Sequence, residues 1–243
     1  MIMDEESNLD FNFWPSFADL MLTLVLIMIT VLFSFNAIFT LNRVKPEDID
    51  PNNLSLKNIK SNQLKIIDAI AGEYNTKPVE FKPSYYGVSI GNNAAYDIVI
   101  RNDPTMQQLT FSDHILFESN SYLLNEAGKK ALQSVGDALR QQIAAIQEIQ
   151  IQGHADTEPT SHFSSNLELA AFRAIEVFQF LQEQCGIDPT RYLMSATSFG
   201  EYKPVSRTDD NMLYNMEQLK TDNDSELKKS QNRRIEMLLF YKN

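Results

Sequence analysis

The sequence is poor in cysteine, in histidine and, at its start, in positive charge. Its single cysteine, Cys185, excludes an internal disulfide and any cysteine-based metal site. Two readings of that thiol remain, a bridge to Cys185 of a second copy and a small buried apolar residue at a helix end. His114, His154 and His162 are the only histidines, and none has a neighbour at ligand spacing. No Ser/His/Asp or Cys/His arrangement supports a hydrolase, so the expectation is a protein that is not an enzyme. The first 42 residues contain no Lys, Arg or His. A secretory signal peptide needs a basic start and a shorter apolar core, so the apolar stretch found there reads as a retained anchor. Basic residues are outnumbered throughout, 21 against 32 acidic ones, and the net charge of −11 leaves no basic face for nucleic acid. There is no internal repeat and no low-complexity tract. A chain of 243 residues has room for one anchor and one domain of ordinary size.

What is present at the start is a long apolar run, Phe17 to Thr40, whose only charge is Asp19. Its 24 residues at helical rise span ~36 Å, against a hydrocarbon core of ~30 Å. An Asp at the centre of a spanning helix costs roughly 2.5–3.5 kcal/mol on insertion scales, and less near the interface, where Asp19 sits. Thr23, Leu26, Thr30 and Ser34 follow within about 60° of the Asp19 direction at 100° per residue. The rest of the helix is nearly all Leu, Ile, Val, Met and Phe. A narrow polar stripe of this kind faces protein rather than lipid. The alternative is a plain anchor whose Asp reaches the headgroups. Arg43 and Lys45 follow the run, and the positive-inside rule would place them in the cytoplasm. Long domains cross largely regardless of charge, however, and the C-terminal domain reads as one that works outside.

Residues 1–13 are acidic and irregular in pattern. Trp14 suits a membrane interface and Pro15 the first turn of a helix. After Thr40 comes a polar run with Pro46 and Pro51, read as a linker. Ser61 to Tyr74 has the spacing of a short amphipathic helix, and Pro78 to Ile100 holds two or three strands. Leu109-Thr110-Phe111 is a short strand, followed by Ile115-Leu116-Phe117. Asn125 is placed to cap a helix running to about Ala145. Ile146 to Gly153 alternates as a strand. Leu167 to Gln184 is a second long helix, stopped by Gly186 with Pro189 beyond. Tyr192 to Phe199 and Ile235 to Tyr241 are the last strands, and between them Val205 to Gln231 is a polar insertion with a helical turn or two. This order predicts an α+β domain, a mixed sheet with helices on one face.

Six segments resemble the OmpA/MotB C-terminal peptidoglycan-binding domain. They are Ile115-Leu-Phe-Glu-Ser-Asn-Ser-Tyr-Leu123, Ile151-Gln-Gly-His-Ala-Asp156, Asn166-Leu-Glu-Leu-Ala-Ala-Phe-Arg-Ala174, Cys185-Gly-Ile-Asp-Pro-Thr-Arg191, Phe199-Gly-Glu-Tyr-Lys-Pro204 and Asn232-Arg-Arg-Ile-Glu236. They stand in the family's order and cover about 110 to 241. The resemblance implies that Asp156 and Arg173 hold the diaminopimelate of the peptide stem, the carboxylate taking the ammonium and the guanidinium forking onto the carboxylate. It implies that Asn166 and Leu169 shape the pocket between them, and that Arg233 or Arg234 makes a structural pair near it. His154, in the Gly-His-Ala-Asp turn, reads as backbone support rather than a metal ligand. The chain departs from the pattern at Ala155, where the family has Thr, and at Ser165, where it has Tyr. Its 156–173 spacing is also two residues longer, with no glycine in the loop.

Trp14-Pro-Ser-Phe-Ala-Asp-Leu-Met21 resembles the ion-carrying helix of MotB-like stator subunits, in which a single Asp near the cytoplasmic end is the ion site. The acidic leader and the Trp-Pro-Ser-Phe entry resemble most the ZorB subunits of Zorya anti-phage systems. This resemblance implies a B subunit of an ion-driven motor in the bacterial inner membrane, N-terminus cytoplasmic and C-terminal domain periplasmic. Asp19 would carry H⁺ or Na⁺, with Thr23 and Thr30 lining the path and no bound cofactor. The partners implied are a second copy of the chain, five copies of a polytopic MotA/ZorA-like subunit around the pair, and peptidoglycan. The rival readings are a flagellar stator subunit and a passive wall tether. The organisation expected is a leader (1–13), a transmembrane helix (14–41), a linker with a short helix and accessory strands (42–108) and the OmpA-like domain (109–243).

Overall fold

The computed structural model describes residues 14–41, 54–90, 96–118, 120–208 and 213–242. The leader expected over 1–13 and the polar run 42–53 lie outside them. The chain divides into two units, residues 1–51 and 52–243. Described within the first is one helix, α1 (Trp14–Leu41). Among the described residues it alone is long and apolar enough to cross a membrane, through Phe17–Ser34. Three of its hydroxyls are satisfied within the helix. Thr23 donates to the carbonyl of Leu20, Thr30 to that of Ile27 and Ser34 to that of Thr30, each at 2.8 Å. The stripe read from spacing therefore holds three hydroxyls that need no outside partner, and the Asp19 carboxyl remains the costly group for a bilayer.

The second unit is built on a seven-stranded sheet. Its strands are β1 (Val79–Lys82), β2 (Tyr85–Val88), β3 (Ile98–Asn102), β4 (Met106–Ser112), β5 (Ile146–His154), β6 (Leu193–Gly200) and β7 (Arg234–Tyr241), in the order β1-β2-β3-β4-β7-β5-β6. β5 and β6 are parallel and every other neighbouring pair is antiparallel. The last strand in sequence lies between β4 and β5, so the sheet closes only when β7 is in place. Register puts Leu109 opposite Met237, and Met237 opposite Ile151. Those side chains point to one face with Ile98, Ile100, Phe111, Ile149 and Leu239, and all of them are buried.

Three helices cover that face: α2 (Leu54–Glu73), α4 (Glu126–Gln142) and α5 (Asn166–Glu183). In α4 the apolar spacing buries Ala131, Leu132, Val135 and Leu139. Its cap is Asn125, whose side chain accepts from Gly128 N at 2.7 Å. α5 is capped by Ser165, which accepts from Glu168 N at 3.2 Å. Ser165 thus starts the helix. The chain leaves α5 through Gly186, at φ +67°, a conformation glycine takes without strain. At Gly153 a Cβ would lie 2.0 Å from the carbonyl oxygen of Ala170, so a glycine there lets α5 lie directly on β5. Cys185 is fully buried beside Gly136, and burial pushes its thiol up to about 11. It is the small apolar residue of the two readings, and a bridge to a second copy would require this seam to open.

Differences from the expected elements are informative. Ile115-Leu116 lies in a single helical turn, α3 (Asp113–Leu116). α2 begins about two turns before Ser61. Within the stretch 42–108, expected as a linker with a short helix and accessory strands, the described residues form α2, and also β1 to β3 and the start of β4, all strands of the same sheet. Ile59, Ile66, Ile67 and Ile70 of α2 enter the common core. Gln63 of α2 donates to the carbonyls of Asp103 and Met106, and its own carbonyl accepts from Gln107 Nε2 at 3.0 Å. The polar insertion folds as α6 (Met216–Thr221) and α7 (Glu226–Asn232). Ile66→Ala is predicted to cost about 2–5 kcal/mol, as for a fully buried isoleucine, measured by urea unfolding of the full chain. An unchanged midpoint would mean that α2 is not part of the core.

Candidate functional site

Four segments meet at one end of the second unit. The start of α3 supplies Asp113, the end of β5 leads into Ala155 and Asp156, α5 supplies Asn166, Leu169 and Arg173, and the α7–β7 junction supplies Arg233. These residues line a cleft of about 540 Å³, which Phe117, Pro159 and Thr160 also border. The helix explains part of the grouping, because Leu169 and Arg173 are four residues apart and share a face. Backbone bonds fix the rest. Asp113 N donates to the carbonyl of Arg233 at 3.0 Å, and Ala155 N to that of Gly200 at 2.8 Å. Asn166 Nδ2 donates to the carbonyl of Asp156 at 3.0 Å, holding the end of β5 against the start of α5.

The charges in the cleft alternate. Arg173, 4% exposed, places Nη1 3.0 Å from Asp113 Oδ1, donates Nε to the carbonyl of Ser121 at 3.0 Å and lies over the ring of Phe117. The Asp113 contact is close but not aligned as a hydrogen bond, so this buried carboxylate oxygen accepts none. Burial raises the carboxyl of Asp113, while Arg173, Arg233 and His114 pull it down. Burial likewise lowers Arg173, with Asp113 opposing. Across the cleft Asp156 pairs with Arg233 Nη1 and accepts from Glu158 N at 3.0 Å. The longer 157–165 loop is tied down by Glu158, whose carboxylate meets Lys229 of α7 at 2.6 Å. Glu118, Glu158 and Glu226 also line this open, polar cleft, and the two carboxylate–guanidinium pairs within it can take a group that carries both signs.

The cleft brings together Asp156, Asn166, Leu169, Arg173 and Arg233. Arg234 points to the other face of the sheet, where its Nε meets Glu236 at 2.7 Å and its Nη2 donates to the carbonyl of Lys203. His154 is buried there too, stacked on Phe199, with Nε2 3.6 Å from Glu236 and neither ring nitrogen hydrogen-bonded. Burial lowers its pKa, with Arg234 and Lys203 adding to the effect. Burial alone would raise Glu236, but the facing imidazole and Arg234 outweigh it and hold it at about 2. His114 borders the cleft, and His162 lies exposed on its loop. Asp19, Thr23 and Thr30 belong to α1, in the other unit.

Asp113 is the residue that reading the sequence missed. Its signal was an acid two residues ahead of the apolar pair Ile115-Leu116, which suits the first turn of a helix and passes unnoticed when no helix is expected there.

The comparisons with known proteins converge on this part of the chain. Residues 116–212 match the model of the OmpA family. The OmpA match runs from the end of α3 through α4, β5, α5 and β6, and so contains Asp156 and Arg173. The periplasmic domain of Helicobacter pylori MotB shares the fold at 22% identity and a TM-score of 0.51, over 66% of this chain and 90% of that one. A putative MotB-like protein from Desulfovibrio vulgaris shares it at 20% identity and a TM-score of 0.55, over 78% and 100%. No curated protein matches the sequence.

Asp113→Ala is predicted to destabilise the protein by on the order of 3 kcal/mol, because Arg173 keeps its charge in a buried place. Adding Arg173→Met should recover part of the loss in the same urea titration. A single variant as stable as the wild type would show that the pair carries no stability.

Proposed function

We propose that this chain anchors a membrane assembly to peptidoglycan and is the B-type subunit of an ion-driven motor in the bacterial inner membrane. The observation that carries the wall-binding reading is the alternating set Asp113, Arg173, Asp156 and Arg233 around one cleft. A diaminopimelate side chain ends in an ammonium and a carboxylate on one carbon. Entering the cleft, it gives its ammonium to Asp156 and Asp113 and its carboxylate to Arg173 and Arg233. Each internal pair exchanges one partner for another, so no buried charge is left alone, and it is stranded charge that makes broken buried pairs expensive. The OmpA match and the shared fold with MotB periplasmic domains support the same reading.

The motor reading rests on α1. A span of 18 residues with one carboxyl near its start is not what a plain anchor needs. Asp19 would take up and release H⁺ or Na⁺ against a polytopic MotA/ZorA-like partner surrounding two copies of this chain, with the N-terminus in the cytoplasm and the sheet domain in the periplasm. Each change of charge at Asp19 alters which contacts with the partner are favourable, and the partner steps around the pair while the wall-bound domain holds it fixed. Between a flagellar stator and a Zorya-type anti-phage complex, the Trp14-Pro15-Ser16-Phe17 entry and the acidic leader favour the anti-phage complex.

Asp19→Asn and Arg173→Ala, each expressed with the native partner, are the test. Asp19→Asn is expected to abolish phage protection at normal membrane abundance and to leave binding to isolated sacculi intact. Arg173→Ala is expected to reduce sacculus binding at least tenfold, about 1.4 kcal/mol or more. A silent Asp19→Asn alongside a defective Arg173→Ala would make the chain a passive tether. Loss of swimming instead of phage protection would place it in a flagellar motor.

A further inference from the structure

The two edges of the sheet are built differently. β1 lies at one edge, only four residues long, with Glu80 and Lys82 in it and a register irregularity between them. Short length, charge and bulges are the means by which edge strands avoid pairing with another chain. β6, at the other edge, is eight residues long, Leu-Met-Ser-Ala-Thr-Ser-Phe-Gly, without a charge or a proline. Its register along β5 is regular from Leu193 to Ser198 and shifts only at Phe199. Leu193 is 60% exposed, and Ala196 and Thr197 are exposed as well. A row of backbone N–H and C=O groups along this strand therefore faces outward, ready to pair.

Register also fixes which way its side chains point. Met194 and Ala196 lie beside Ile149 and Ile151, so they share the helix-covered face. Leu193, Ser195 and Thr197 alternate with them onto the far face, where Phe199 stacks on His154. Arg191 and Glu201 flank the strand. Arg191 is exposed and meets Asp188 only at 3.7 Å. Glu201 has a buried carboxylate oxygen, Oε2, that accepts no hydrogen bond.

We propose that β6 pairs antiparallel with β6 of a second copy of this chain, about a two-fold axis through Ala196, joining the two sheets into one. The proposal rests on neither the wall-binding nor the motor reading. A two-fold axis normal to the sheet keeps like faces together, and the contact is isologous, each pairing occurring twice. Centred on Ala196, it sets Ser195 opposite Thr197, Leu193 opposite Phe199 and Arg191 opposite Glu201. Each match is favourable: hydroxyl to hydroxyl, apolar chain to ring, guanidinium to carboxylate. The neighbouring registers lose this. Centred on Thr197, Leu193 would face Glu201 and Arg191 would face Lys203. Centred on Ser195, Arg191 would face Phe199 and Glu201 would face Pro189. The strand is thus complementary to itself in one register, which selects a second copy as its occupant. Because β5 and β6 are parallel and the cleft stands at the end of β5, the antiparallel seam sends the two clefts to its opposite ends.

Oxidative cross-linking of the full chain in membranes tests this pairing. Residues directly opposite across an antiparallel pair have Cα atoms about 4.5–5.5 Å apart, which a disulfide can span. Wild type, whose only cysteine is the buried Cys185, is the baseline. Ala196→Cys is expected to give a disulfide-linked dimer, and Val79→Cys, on the β1 edge, to give none. Adding Arg191→Glu to the Ala196→Cys chain should lower the cross-linked fraction about fivefold, because a like charge then faces Glu201. Adding Glu201→Arg as well exchanges the two charges and should restore it. A folded Ala196→Cys chain that reacts with maleimide and yet forms no dimer would overturn the proposal. So would equal cross-linking at Val79→Cys, which marks random collision, or a yield indifferent to Arg191→Glu.

Discussion

Arg173 is 4% exposed and cannot shed its charge, so whatever surrounds it has to answer that charge. The answer comes from three directions: the carboxylate of Asp113, the carbonyl of Ser121 and the face of Phe117. Each lies on a segment far from Arg173 in sequence. Meeting this demand brings the start of α3 and the 118–124 loop onto the flank of α5. The placing of α5 is fixed in turn by Gly153, where only a glycine allows the helix to touch β5. Beyond β5 lies β7, which enters the sheet between β4 and β5 and delivers Arg233 opposite Asp156. The site is thus a consequence of burying one guanidinium at the end of a sheet that its last strand closes.

The two internal pairs, Asp113 with Arg173 and Asp156 with Arg233, determine what the cleft can receive. Each cation already faces an anion, so a ligand of one sign would strand an internal partner, whereas a ligand bearing both signs exchanges with both pairs. Selectivity comes from desolvation more than from the raw strength of any single contact. The far face of the sheet is polar in a different way. His154, Arg234 and Glu236 are buried among themselves and the 203–205 backbone, with no opening toward the cleft, which fits bracing rather than recognition.

Much of the fold was legible because it is local. The Leu109-Thr110-Phe111 strand and the Asn125 cap announced the middle of β4 and the start of α4 without help from the rest of the chain. The order of the strands was not legible, since nothing near Arg234 to Tyr241 says that this strand belongs between β4 and β5. Nor was the membership of α2 in the core, because docking through Gln63 depends on partners 40 or more residues away. Asp156, Asn166, Leu169, Arg173 and Arg233 were named from motif resemblance, and the structure places them around one cleft. Asp113 was missed because its importance lies in its distance to Arg173, not in its own neighbourhood. In α1, periodicity found the stripe of Thr23, Thr30 and Ser34 but could not reveal that their hydroxyls are bonded to their own helix.

The central claim is that the cleft reads a group carrying both an ammonium and a carboxylate. The most direct measurement is calorimetric titration of the full chain with two stem peptides that differ at one position, meso-diaminopimelate against lysine. Lysine keeps the terminal ammonium and removes the carboxylate beside it. The account predicts binding of the diaminopimelate peptide and loss of at least tenfold in affinity, about 1.4 kcal/mol, for the lysine peptide. Equal affinity for the two would contradict it, because Arg173 and Arg233 would then have no part in recognition.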